Sequence, residues 1–277
     1  MSELAEPAGK RHTPTALFLW LGGTFVGTIC GIGGGLFATP ILHYLCRVPF
    51  RTAIGTSLVL VLTMTLVATG FEAARGDSAI DWAVVGLLIA GSLPGTKLGH
   101  VFSKRVDVRT LKWIFVVLLV AAAARTLTID ASSMARTASG GVALDPWRIL
   151  WIAMVGFGGG FLAPLLGIGG GIFVIPVLYL SLSDISYLEV RACSMAMGLV
   201  NSAQAVVLNW RDEKVDTRLV GPFVVIAVAG AVLGILAVHR PGWDDIARHT
   251  MTAVIVFVAA RFAWDLWSTR SRAANQA

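Results

Sequence analysis

Long apolar runs separated by short polar segments dominate this chain. They lie at about Thr15–Leu45, Thr52–Phe71, Trp82–Phe102 and Leu111–Leu127, and, after the polar stretch Thr128–Asp145, at Trp147–Leu182, Tyr187–Trp210, Leu219–His239 and His249–Trp267. Most are near the ~20 residues a helix needs to cross a bilayer. The first run of each set is too long for one crossing. Each is interrupted by the same five residues, Gly31-Ile32-Gly33-Gly34-Gly35 and, 136 positions later, Gly167-Ile168-Gly169-Gly170-Gly171. A glycine costs a helix about 1 kcal/mol relative to alanine, so each quintet predicts a break. Pro40 and Pro176 follow the breaks at equal spacing.

The pattern is therefore four runs, a linker and four runs. The halves also match at Phe25 and Phe161, at Ile41-Leu42 and Val177-Leu178, and at Arg125 and Arg261. Gly95 and Gly99 correspond to Gly230 and Gly234, one residue out of register. This predicts a duplicated all-α polytopic membrane protein. Repeat 1 is placed at 15–127, a linker at 128–146 and repeat 2 at 147–268, with cytoplasmic tails at 1–14 and 269–277.

Composition agrees. Of 277 residues 56% are hydrophobic and 14% charged, against about 25% charged in soluble domains. The net charge of +6 reads as cytoplasmic-loop bias rather than nucleic-acid binding, because no soluble segment is long enough for a binding domain. Cys30, Cys46 and Cys193 are an odd, apolar-flanked set and read as free thiols. Lys10 and Arg11 precede the first run without a clear cleavage site, which reads as an uncleaved cytoplasmic tail.

Lys and Arg set the topology. If each glycine-broken run crossed once, the loop with Lys104, Arg105 and Arg109 would face outside. If each dips in and returns to its own side, thirteen basic residues lie inside against seven outside. The second arrangement wins. Each half then holds one re-entrant or discontinuous hairpin plus three transmembrane helices, an odd number, so the second half is inverted. Inverted repeats with broken helices around a midplane site are a transporter architecture. The expected location is the cytoplasmic (inner) membrane.

A helix restarting after each quintet presents free N–H groups and about half a positive charge. Two such ends facing each other suit a small oxyanion. The donors are Gly33, Gly34 and Gly35 with Gly169, Gly170 and Gly171. Gly23, Gly27, Gly31 and Gly35 at four-residue spacing also fit a close-packing seam, and both roles stay open. Thr56, Ser57 and Thr63 on the second run, and Ser194, Asn201 and Gln204 on the sixth, supply side-chain candidates. Asn201 and Gln204 share a helix face and serve either a polar cavity or an interhelical bond.

Among charges, Lys97 and His100 read as snorkelling, Arg261 and Asp265 as a structural pair, and Arg51 and Arg191 as interfacial anchors or anion attractors. Glu72 and Glu189 are weak proton-carrier candidates near an interface. Gly91–Lys97 fails as a phosphate loop on glycine spacing and on the order of Thr and Lys, the quintets fail as dinucleotide fingerprints, and no HExxH or nucleophile–base set occurs. No enzyme, metal or cofactor is expected.

The duplicated GIGGG with its proline-bearing apolar run resembles the TauE/SafE sulfite exporter family, also known as the 4-toluene sulfonate uptake permeases. Ala53-Ile54-Gly55-Thr56-Ser57-Leu58 and the Gly91/Gly95/Gly99 spacing share the resemblance, which covers about Leu17 to Trp267. Arg191-Ala192-Cys193-Ser194-Met195 departs from the Thr-Ser pattern in the second half. The resemblance implies ion-coupled transport of a sulfur-containing anion such as sulfite, a sulfonate or sulfoacetate. The expected partners are that small anionic substrate, the lipid bilayer, a coupling ion with the proton as candidate, and a second copy in a homodimer, with no nucleic acid. The competing readings are a channel-like anion pore and a non-transporting membrane subunit.

Overall fold

The computed structural model describes residues 13–75, 78–104, 144–182 and 185–240, with 243, 249, 250, 253 and 256. The fourth apolar run, most of the eighth, linker residues 128–143, the tails, and Arg105, Arg125, Arg261 and Asp265 lie outside the described residues. Eight helices are described: α1 Thr13–Ile29, α2 Gly35–Pro40 with a π-helical continuation Ile41–Leu45, α3 Phe50–Ala73, α4 Trp82–Ser103, α5 Pro146–Leu166, α6 Gly171–Ser181, α7 Tyr187–Arg211 and α8 Thr217–Val238. Among the described residues no strand occurs. Helices α3, α4, α5 and α8 are long and apolar enough to cross a membrane.

Helix starts follow their local sequence. Asp81 accepts from the N–H groups of Ala83 and Val84 to cap α4, and Asp216 accepts from Arg218 to cap α8. Ser186 and Glu189 form a capping box on α7, which gives Glu189 a structural task. Pro40 lacks an N–H and crowds the preceding turn. The helix there widens, and Cys46 N–H reaches the carbonyl of Ile41, five residues back.

At each quintet the chain doubles back. A Cβ on Gly23 would lie 2.8 Å from Phe37 Cβ, and one on Gly27 would lie 2.6 Å from Gly34 Cα, so α2 returns along α1. In the second half Gly158 and Gly159 face Phe173 and Val174, and Trp151 Nε1 donates to Ser181 Oγ at 2.9 Å near the open end. Both tips are buried.

The halves exchange helices along glycine seams. Gly91, Gly95 and Gly99 on α4 abut the carbonyls of Ala153, Phe157 and Phe161 on α5, and Gly156 and Gly160 abut those of Leu88 and Ser92. Across the molecule Gly230 and Gly234 on α8 abut Thr24, Thr28 and the carbonyls of Leu21 and Phe25 on α1. Small residues let backbones approach this closely in a membrane, where van der Waals contact is a main attraction between helices. In both seams residue numbers rise together, so α4 runs with α5 and α1 with α8. Thr56 meets the start of α8 and Glu72 its end, so α3 also runs with α8.

One large core cluster joins Ile29, Ile32, Val84, Leu88, Ile152, Leu165, Ile172 and Cys193, drawn from both halves. Outside it, Phe18, Val225, Leu233 and Met154 are exposed, with Trp82, Trp147 and Trp210 at helix ends. An apolar exterior with terminal tryptophans is what a bilayer and its interfaces select.

Candidate functional site

The two quintets have the same backbone. Gly31, Gly33 and Gly34 have φ of 73°, 76° and 69°, and Gly167, Gly169 and Gly170 have 72°, 77° and 91°. These left-handed values carry a steric cost for residues with a Cβ. Positions one, three and four of GIGGG thus answer to conformation, and position two, isoleucine in both copies, does not.

Position five answers to contact. A Cβ on Gly35 would strike the carbonyl oxygen of Gly167 and come within 2.8 Å of Ile168 Cα. One on Gly171 would lie 2.7 Å from Gly31 O and 3.3 Å from Ile32 Cα. The relation is reciprocal: the fifth residue of each quintet rests on the first two of the other. Packing therefore accounts for the fifth glycine.

The N–H groups remain. No hydrogen bond among the described residues starts from the N–H of Gly33, Gly34, Gly35, Gly169, Gly170 or Gly171. All six residues are buried, and buried orphan N–H groups are rare in folded proteins. Beside them Ser194 is 1% exposed and its Oγ has no partner. That oxygen would lie 3.0 Å from a Cβ on Gly171. Gly31, Gly33, Gly169, Gly171, Val61, Thr65, Ser194 and Gly198 line a gap between the tips with no room for a water molecule.

The other expected side-chain donors do not line that gap. Thr56 Oγ1 accepts from Asp216 N–H at 2.9 Å. Ser57 Oγ donates within reach of Ile54 O (2.8 Å) and Gly167 O (3.1 Å), and accepts from Thr39 Oγ1 at 3.0 Å. Thr63 bonds back to Val59 O. Gln204, half-buried, donates to Leu93 O at 3.2 Å. Asn201 is fully buried, with neither amide atom partnered; it follows Gly198 by three residues on the same face of α7.

The charged residues differ more from expectation. Lys97 is exposed, but His100 is buried, with Nε2 3.3 Å from Asp212 Oδ2. Asp212 also meets Lys104 and Lys214 at 2.8 Å. Hydrogen bonds from Lys104 and then Lys214 hold its carboxyl well below the usual carboxylate range. Arg51 is exposed as an anchor should be, whereas Arg191 and Glu72 are buried together, with His239 completing the group. His239 closes an apolar run, and no local pattern ties it to residues 48 and 167 positions away.

Interior glycine hairpins inside an apolar helical shell define a multi-pass cell-membrane protein. The chain matches the family described as "Sulfite exporter TauE/SafE" over residues 2–126 and 152–277, and it belongs to that family. It is 30% identical over 174 residues to "Probable membrane transporter protein YunE" of Bacillus subtilis, covering 56% of this chain and 63% of that one. It is 29% identical to "Probable membrane transporter protein MJ0441" of Methanocaldococcus jannaschii, with 63% of each chain covered. A "Probable membrane transporter protein" of Xylella fastidiosa aligns over 89% of this chain and 94% of its own at 25% identity. The chain thus spans 63% of the length of the first two relatives. No solved structure matches it.

Proposed function

We propose that this protein is an ion-coupled secondary transporter that moves a small sulfur-containing oxyanion, of the sulfite, sulfonate or sulfoacetate type, across the membrane by alternating access. The observation that carries the reading is the set of six buried, unpartnered N–H groups on two reciprocal glycine tips. An oxyanion accepts several such bonds at once, without a buried cation of its own. Ser194 supplies the adjoining hydroxyl and Asn201 an amide about two turns further on. The gap is closed to water, so the tips must part to admit a ligand. That is a natural step for two hairpins joined chiefly by van der Waals contact.

The two halves act as inverted repeats in this reading. Support comes from the directions of packing: α1, α3 and α8 run one way, α4 and α5 the other, and the hairpins belong to opposite sets. Single cysteines at Lys104 and Arg240, both at exposed helix ends, should label from opposite sides of the membrane. Labelling of both from one side refutes the inversion.

Transport is tested in proteoliposomes with sulfite, sulfoacetate and an aryl sulfonate, under a proton gradient and under an anion gradient. Flux of at least one is expected. Absence of flux in every combination refutes the proposal.

A further inference from the structure

Three ionisable side chains meet in the interior beside the first quintet. Glu72, in the last turn of α3, is 2% exposed and Arg191 on α7 is 1% exposed. Glu72 Oε2 lies 3.8 Å from Arg191 Nη2 and 3.2 Å from His239 Nε2. The other carboxylate oxygen, Oε1, lies 3.3 Å from the same His239 nitrogen and accepts from Ala79 N–H at 3.3 Å.

The histidine geometry fixes a proton count. His239 Nδ1 lies 2.8 Å from the carbonyl oxygen of Ile235. A carbonyl oxygen only accepts, so Nδ1 carries a hydrogen. Nε2 then faces two carboxylate oxygens that also accept. The contact is attractive only with one further proton between them, on the imidazole or on Glu72. With that proton the three side chains sum to +1, and without it to zero.

The cluster touches the anion site. A Cβ on Gly31 would lie 2.6 Å from Arg191 Cγ, so the arginine stem rests on the first residue of the quintet. Ser194, Met195 and Gly198, three, four and seven residues on along the same helix face, line the gap between the tips. Among the described residues the buried thiol of Cys30 also lies near Arg191. Glu189 on α7 is turned to its capping box with Ser186, and Tyr187 donates to the carbonyl of Cys30 at the end of α1. Arg240, next to His239, is exposed.

We infer that the Glu72–His239 pair is a proton-binding site coupled to the anion site: one proton held between them makes the charge beside the first quintet one unit more positive, and its release removes that unit. Protonated, the pair no longer offsets the Arg191 charge, and an oxyanion is drawn more strongly to the tips. Deprotonated, Glu72 neutralises Arg191 and the attraction is lost. Linkage makes this reciprocal, so a bound anion holds the proton. The inference rests on the proposed anion site and identifies the coupling ion and its seat.

The test is binding of methanesulfonate, whose own charge is constant, to the full-length protein in detergent across about pH 6 to 9. On the alkaline limb affinity should fall about tenfold per pH unit, with a proton taken up from weakly buffered solution as the anion binds. Glu72→Gln should bind the sulfonate with no pH slope and no proton uptake, and His239→Gln, which leaves Glu72 ionised against Arg191, should bind it weakly at every pH, also without proton uptake. Linkage that persists in either folded variant overturns the assignment. If neither variant folds, the wild type decides: proton uptake on binding supports the coupling and its absence overturns it. Binding that is strong but independent of pH overturns the coupling and leaves the anion site standing. No binding at any pH overturns both.

Discussion

Ser57 Oγ, on α3 in the first half of the chain, lies 3.1 Å from the carbonyl oxygen of Gly167, where α5 of the second half ends. The hydroxyl thus serves one of the carbonyls that a broken helix leaves open. Thr39 joins the same group, 3.0 Å from Ser57 and 3.4 Å from Leu166 O. Ser57→Ala removes the donor and leaves a buried carbonyl short of a partner. A loss of about 1–3 kcal/mol is expected, read by thermal or denaturant unfolding in detergent. An unchanged stability would show that the bond contributes nothing.

The fifth glycines should tolerate no side chain. Gly35→Ala and Gly171→Ala each drive a methyl group into the backbone of the opposite hairpin. A rigid backbone cannot yield as a side-chain tip does, so these variants should misfold or lose several kcal/mol, about the upper end of single-substitution effects. Gly22→Ala and Gly221→Ala are the controls, since nothing lies within 4 Å of a Cβ at either. Both lie within helices and should gain up to about 1 kcal/mol from helix propensity. Equal tolerance at all four positions would contradict the reciprocal contact.

Ser194 separates stability from binding. Its hydroxyl is buried without a partner, so Ser194→Ala should leave the unliganded protein as stable or raise its stability by about 1 kcal/mol. The melting-temperature rise given by a saturating sulfonate should shrink, because binding stabilises by mass action. Destabilisation with an unaltered ligand response would assign the hydroxyl to packing alone.

Asp212 ties the end of α4, through Lys104 and His100, to the segment between α7 and α8 through Lys214. Its carboxyl titrates lower in the folded protein than in the unfolded chain. The stabilisation is therefore fully present above the ordinary carboxylate value of about 4 and is lost as pH falls through the depressed folded value. Asp212→Asn should lower the melting temperature by a constant amount from about pH 5 to 8. The difference from wild type should begin to close below about pH 4 and vanish only below the depressed folded value. A difference that grows between neutral and alkaline pH would point to another group.

The sequence by itself determined the eight apolar runs, the two breaks and the repeated quintet. It also determined the left-handed turns, because φ is settled by a residue and its immediate neighbours, and glycine is the residue that takes positive values freely. Even the correspondence of Gly95 with Gly230 is written in the chain. Burial is not. Residues facing lipid and residues facing the core are equally apolar in a membrane protein, so hydropathy could not say that Glu72 and Arg191 lie inside rather than at an interface. Thr56 and Ser57 had the right chemistry for ligand donors, yet their hydroxyls are engaged by Asp216 and Gly167, partners more than a hundred residues distant. The fifth glycine of each quintet has no local reason at all. Only tertiary structure, by setting one hairpin tip against the other, decided what Gly35 and Gly171 are for, because a steric limit exists only where two backbones meet.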